Sequence, residues 1–110
     1  MKKKFTDSFR GLACGLKHRA VKAQCILGIL AVIGGMIIKL DHYEWLAFAI
    51  CIAMVISAEI MNTAIERIGD YLNSEMDERI RSIKDLSSAA VLVASFGALA
   101  VCILCIVRRL

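Results

Sequence analysis

The sequence predicts an all-α integral membrane protein: three transmembrane helices preceded by an N-terminal amphipathic helix on the membrane surface. Three observations carry that prediction. The chain is 59% hydrophobic, with no proline among its 110 residues, and its mean hydropathy is +0.70, too apolar for an ordinary soluble domain. Its apolar residues gather into uncharged runs at 23–38, 45–58 and 86–107, lengths that match membrane crossings once flanking residues are included. Ahead of these runs, Phe5, Phe9, Leu12, Ala13 and Leu16 recur at helical spacing among Arg10, Lys17, Arg19 and Lys22, the pattern of a helix lying on an anionic bilayer.

Each element follows in order, within a single membrane-embedded domain over residues 1–110. The surface helix is expected at about 5–20. The first span is expected at about 23–38, where Lys22 and Lys39 can snorkel from either end of a slightly short segment. Residues 40–44 carry Asp41, His42, Tyr43 and Glu44, a polar break long enough only for a tight turn. Trp45 then holds the interfacial position that aromatic residues favour. The second span is expected at about 45–71, followed by a loop at 73–81, and the third at about 84–107.

Lysine and arginine set the orientation. Residues 2–22 hold seven of them, and Arg67, Arg79, Arg81 and Lys84 add four near the second connection. Both groups belong on the cytoplasmic side, which predicts a multi-pass protein of the bacterial inner membrane with a cytoplasmic N-terminus. Arg108 and Arg109, on the opposite side, are an exception to that rule. Thr6 to Arg10 are polar where a secretory signal would be apolar, so no such signal is expected. The five cysteines, four of them within apolar runs, fit neither a disulfide framework nor a zinc site and read as small reduced hydrophobes.

The chemistry lies where the second span becomes polar. The uncharged part of that span is only 14 residues long, about 21 Å of helix. Crossing roughly 30 Å of hydrocarbon therefore carries it past Glu59. Glu59, Asn62, Glu66 and Asp70 follow at steps of three, four and four residues, an arc of roughly 80° on one helical face. A carboxylate at the lipid boundary is costly and marks a functional site. Seven of the ten acidic residues lie between Glu59 and Asp85. Alone they repel a polyphosphate, so handling one requires a divalent cation held by one or two carboxylates, as magnesium prefers. Lys84 can meet a phosphate directly.

The run Glu59-Ile-Met-Asn62-Thr-Ala-Ile-Glu66, followed by Asp70 and then by Lys84-Asp85-Leu-Ser-Ser88-Ala-Ala-Val, resembles the bacterial diacylglycerol kinase and undecaprenol kinase family. The likeness extends over roughly residues 29–107 and includes Glu44-Trp45-Leu46. The resemblance implies a homotrimeric membrane enzyme that transfers the γ-phosphoryl group of magnesium-ATP to a lipid hydroxyl at the cytoplasmic interface. Carried over, Glu59 looks like the general base and Glu66 like a magnesium ligand. Asn62 would orient the phosphates or the base, Lys84 would contact phosphate, and Asp70 and Asp85 would assist nucleotide binding. Such chemistry needs mainly positioning and charge neutralisation. No Walker-type or protein-kinase glycine loop occurs in the chain, so helix faces and the loop at 72–84 must bind the nucleotide. Lipid, ATP and further copies of the chain are the expected partners; nucleic acid is not.

One departure stands out. The family pattern has a second metal-binding glutamate near the junction of the surface helix and the first span, yet no acidic residue occurs between Asp7 and Asp41. His18, Gln24 or Ala23 falls there, depending on the alignment. Two alternatives to an active lipid kinase follow: a catalytically weakened relative, and a small proton-coupled transporter built around Glu59. The clustering of carboxylates toward one membrane face argues against the transporter. Diacylglycerol and undecaprenol are equally weighted as the lipid.

Overall fold

The computed structural model describes residues 2–72 and 77–110. They form four helices, α1 (Lys2–Gly15), α2 (Arg19–Ile38), α3 (His42–Tyr71) and α4 (Glu78–Arg108), with no strand among the described residues. The last three are long and apolar enough to cross a membrane. The all-α class with three spans and a preceding amphipathic helix is thus the observed architecture. α3 is the central helix, packed against α4 along one flank and α2 along the other.

On α1 and the turn that closes it, Phe5, Phe9, Leu12 and Leu16 are exposed to the surroundings and lie within about 60° of one another about the helix axis. They form the face a membrane surface would cover. The helix stops earlier than the expected residue 20, because His18 takes an extended conformation (φ −79°, ψ 138°) and starts α2 as its N-cap. Arg19 and Lys22 therefore belong to the first span and not to the surface helix. Gly15 is buried against α3, where an added Cβ would lie 3.6 Å from Ile60 Cγ1. That contact docks the end of α1 beside the polar stretch of the central helix.

The connection between α2 and α3 is tighter than residues 40–44. Lys39 closes α2 in the left-handed conformation (φ 58°) and returns its N–H to the Gly35 carbonyl. Leu40 then folds back onto Gly35, where a Cβ would sit 2.6 Å from Leu40 Cδ1 and 2.9 Å from the Trp45 ring. Asp41 and Glu44, expected in the turn, instead form a capping box: Glu44 N–H donates to Asp41 Oδ1 at 2.9 Å, and Asp41 N–H donates to Glu44 Oε1 at 3.0 Å. The D-x-x-E spacing satisfies two orphan donors at the helix start. It moves that start ahead of Trp45.

α4 likewise begins before residue 84. Asp77 caps it by accepting the Arg79 N–H at 2.9 Å, so 78–81 are helical where a loop was expected. The Arg79 guanidinium and backbone N–H hold the Asp77 carboxyl below the usual carboxylate range. The rest of the expected loop, 73–76, lies outside the described residues.

The exceptional arginines of the far end are explained by their partners. Arg109 donates to both Glu44 oxygens at 2.6 Å. It also donates to the carbonyls of Ile38 (3.0 Å), Lys39 (3.0 Å) and Cys105 (2.9 Å). All five guanidinium N–H donors are thereby used, and one side chain ties the end of α2, the start of α3 and the end of α4. Arg108 adds longer pairs to Asp41 and Glu44, both at 3.5 Å. These cations neutralise local carboxylates, so they do not report orientation. The small apolar core sits beside this clamp, with Leu40, Phe48 and Cys105 buried and Trp45 edge-on to Phe48. All five cysteines are free thiols.

Candidate active site on the polar face of the central helix

The buried polar residues among those described are Glu44 of the clamp together with Glu59, Asn62 and Ser87. The last three lie at the other end of the spans, toward α1. Glu59 begins about 21 Å along the helix from Trp45, leaving roughly 9 Å of a 30 Å hydrocarbon layer beyond it. Its side chain is 6% exposed. A carboxylate at that depth needs a partner, and α2 provides one: Gln24 donates from Nε2 to Glu59 Oε2 at 3.5 Å.

One turn on, Asn62 is 8% exposed and held from two directions. Its Nδ2 donates to Glu66 Oε1 at 3.3 Å, and its Oδ1 lies 2.5 Å from the Ser87 hydroxyl of α4. Ser87 Oγ is also 3.0 Å from the Lys84 carbonyl. A hydroxyl has one proton, and the shorter contact, to an otherwise buried amide oxygen, is the one it serves. Every buried side-chain polar atom among the described residues has a partner.

Six sequence-predicted residues separate into two linked groups. Glu59 and Asn62 of α3 and Asp85, Ser88 and Ser95 of α4 line one groove of about 440 Å³. Glu66 stands at its edge through Asn62. Lys84 and Asp70 lie one turn farther out and pair at 2.7 Å. The lysine reaches Asp70 by crossing Gly69, where an added Cβ would lie 2.5 Å from Lys84 Cε. Asp70 carries 71% side-chain exposure, so this pair faces the medium at the mouth. An apolar cavity beside the site, about 300 Å³ between α2, α3 and α4, starts at Gln24, Val55 and Ser95 and runs toward Phe48 and Cys102.

Two contributors were missed from the sequence, Ser87 and the Gln24–Glu59 contact. Ser87 sits inside the recognised motif with nothing to distinguish it from Ser88. Gln24 had been weighed only as a replacement for a metal ligand.

The donor set bears on metal binding. Among the described residues no three His, Cys, Asp or Glu side chains converge on one point. Magnesium commonly takes one or two carboxylates and fills its octahedron with water and phosphate oxygens, so Glu66 on its exposed edge fits that habit. His18 does not fit. Its Nε2 is in contact with the Arg67 guanidinium, whose other nitrogen reaches Cys14 Sγ at 3.6 Å. Arg67 can only donate, so Nε2 is spent as its acceptor and is not turned to a cation. Ala23 has no donor atom, and Gln24 turns its amide nitrogen to Glu59.

Three apolar spans, with a carboxylate-rich polar face buried at one membrane boundary beside an apolar slot, define a multi-span membrane protein with a polar site at one edge of the bilayer. Residues 6–106 match the family of prokaryotic diacylglycerol kinase. Diacylglycerol kinases of Escherichia coli strain K12 and of Shigella flexneri are each 32% identical over 88 residues, 79% of this chain and 72% of theirs. One from Sinorhizobium sp. is 33% identical over 73 residues, 66% of this chain and 53% of its own. No solved structure gives a significant match. The chain belongs to the prokaryotic diacylglycerol kinase family.

Proposed function

We propose that the protein phosphorylates a membrane lipid alcohol, diacylglycerol or undecaprenol, from magnesium-ATP at the α1 end of its spans. The observation that carries this reading is the convergence of Glu59, Asn62 and Asp85 on one groove at the lipid boundary, next to an apolar slot, in a chain of this family. The excess of lysine and arginine at that end supports a cytoplasmic site in the bacterial inner membrane, where ATP is supplied. A homotrimer, implied by the resemblance, would cover part of the apolar flank each chain leaves open.

In this reading the lipid tail lies in the apolar slot and its hydroxyl reaches Glu59. The Glu59 carboxylate takes the hydroxyl proton while the lipid oxygen bonds to the γ-phosphorus of ATP; the bond from that phosphorus to the β,γ-bridging oxygen breaks and ADP leaves. Asn62, fixed through Ser87 and Glu66, orients phosphate oxygens or the base. Lys84 offers its ammonium to a phosphate and Asp70 keeps that ammonium extended toward the mouth. Asp85 assists nucleotide binding. Glu66 would hold magnesium, which when bound supplies neutralisation of the polyphosphate charge. Preorganised positioning and charge account for most of the catalysis of phosphoryl transfer.

A second reading, a relative with slowed turnover, is favoured by one observation: the His18 ring is engaged by Arg67 where the family pattern has a second metal-binding carboxylate. One assay addresses both. Purified protein in bicelles is given magnesium-ATP with diacylglycerol or undecaprenol, and lipid phosphate is counted. Turnover abolished by Glu66→Gln supports the kinase; slow turnover that resists added magnesium supports the weakened relative. Absence of transfer to either lipid overturns the kinase reading.

A further inference from the structure

We infer that Gln24 is a positioning residue for Glu59, aligning the carboxylate at the mouth of the apolar slot. The inference rests on the lipid kinase reading and extends it to a residue on another helix. Three observations meet at this side chain. Gln24 Nε2 donates to Glu59 Oε2 at 3.5 Å across the α2–α3 interface, and it is the one side-chain hydrogen-bond partner of that carboxylate among the described residues. Glu59 is 6% exposed, so water is a poor substitute for that donor. Gln24 also lines the end of the 300 Å³ slot nearest the site, so the residue that steers the base also borders the space for the lipid.

The chemistry favours an amide here. A general base must present one lone pair to the hydroxyl in a narrow range of directions. A buried carboxylate on an unbranched side chain has three rotatable torsions and would otherwise sample several. An N–H donor on one oxygen fixes the plane and leaves the other oxygen for the proton. The long 3.5 Å contact is the kind that tightens when substrate closes the site. Glutamate at position 24 would instead bring a second negative charge to Glu59, and the amide avoids that repulsion.

The experiment compares Gln24→Met, which keeps the length of the side chain without a donor, with the parent in the bicelle assay. Expected are a kcat lowered tenfold or more and KM values for ATP and lipid within twofold of the parent, beside a lowered melting temperature from the buried carboxylate left without its donor. In a Glu59→Asp background, whose carboxylate is already withdrawn, Gln24→Met should cost less than twofold. Parent-like kcat for Gln24→Met, or a full additional loss in the Glu59→Asp background, overturns the inference while leaving the kinase intact. A gain in rate from Gln24→Glu also overturns it, because that result would identify position 24 as a lost metal ligand. A parent that phosphorylates no lipid alcohol overturns both.

Discussion

Ser87→Ala isolates one contact of the site without touching a charge. Its hydroxyl, 2.5 Å from Asn62 Oδ1, is 9% exposed as a residue against 8% for the asparagine, so the oxygen left behind has little access to water. Leaving a buried acceptor unpaired costs about 1–3 kcal/mol. If that energy holds the amide in its reactive orientation, and each 1.36 kcal/mol is tenfold in rate, the limits are roughly 5-fold and 150-fold in kcat. The lower part of that range is expected, about tenfold, because Asn62 keeps its contact with Glu66 at 3.3 Å and is not set loose. The assay is steady-state lipid phosphorylation in bicelles with saturating magnesium-ATP, alongside thermal unfolding. Ser87→Thr, which preserves the hydroxyl, should recover most of the rate. Parent-like kcat in Ser87→Ala, or a loss confined to KM, would refute the argument that α4 orients Asn62.

Two further predictions follow from the same contacts. Gly69→Ala puts a methyl 2.5 Å from Lys84 Cε and 3.2 Å from Ile80 Cγ2; because the flexible lysine must lift from Asp70, KM for ATP should rise about two- to fivefold by analogy with loss of one exposed charge contact, and an unchanged KM would dissociate Lys84 from the nucleotide. At the opposite end, Arg109→Ala should lower the melting temperature clearly more than Arg108→Ala, since Arg109 spends five donors on three helix ends and Arg108 makes only the longer pairs; equal effects would remove the clamp from the account.

The spans were legible because hydropathy reports the one constraint a bilayer imposes on every residue of a crossing helix. Helix ends were less so. Asp41 and Glu44 read as turn residues by polarity, yet their three-residue spacing is also that of a capping box, and the capping geometry extended α3 to His42. Asp77 did the same for α4. The polar face of α3 was legible for a different reason: 100° per residue converts spacing into direction without any knowledge of neighbours. That calculation ends at the helix surface. Which residue of α2 or α4 meets the face depends on the rotation of those helices, and periodicity says little about a helix that is apolar all round. Gln24 and Ser87 were therefore hidden in plain view.

The distribution of burial gives the two ends of the bundle different tasks. At the turn end, Glu44 is 4% exposed and its charge is matched by a bidentate guanidinium, the geometry that makes a buried pair a fixed joint. At the α1 end, Glu59 is buried to a similar degree but faces only a neutral amide. A full counter-ion would hold that carboxylate more firmly and would also compete with the hydroxyl proton it is proposed to accept. A neutral donor on one oxygen orients it and leaves the other oxygen open to the groove. The two glutamates, one locked by charge and one merely steered, divide assembly from the proposed chemistry along a single central helix.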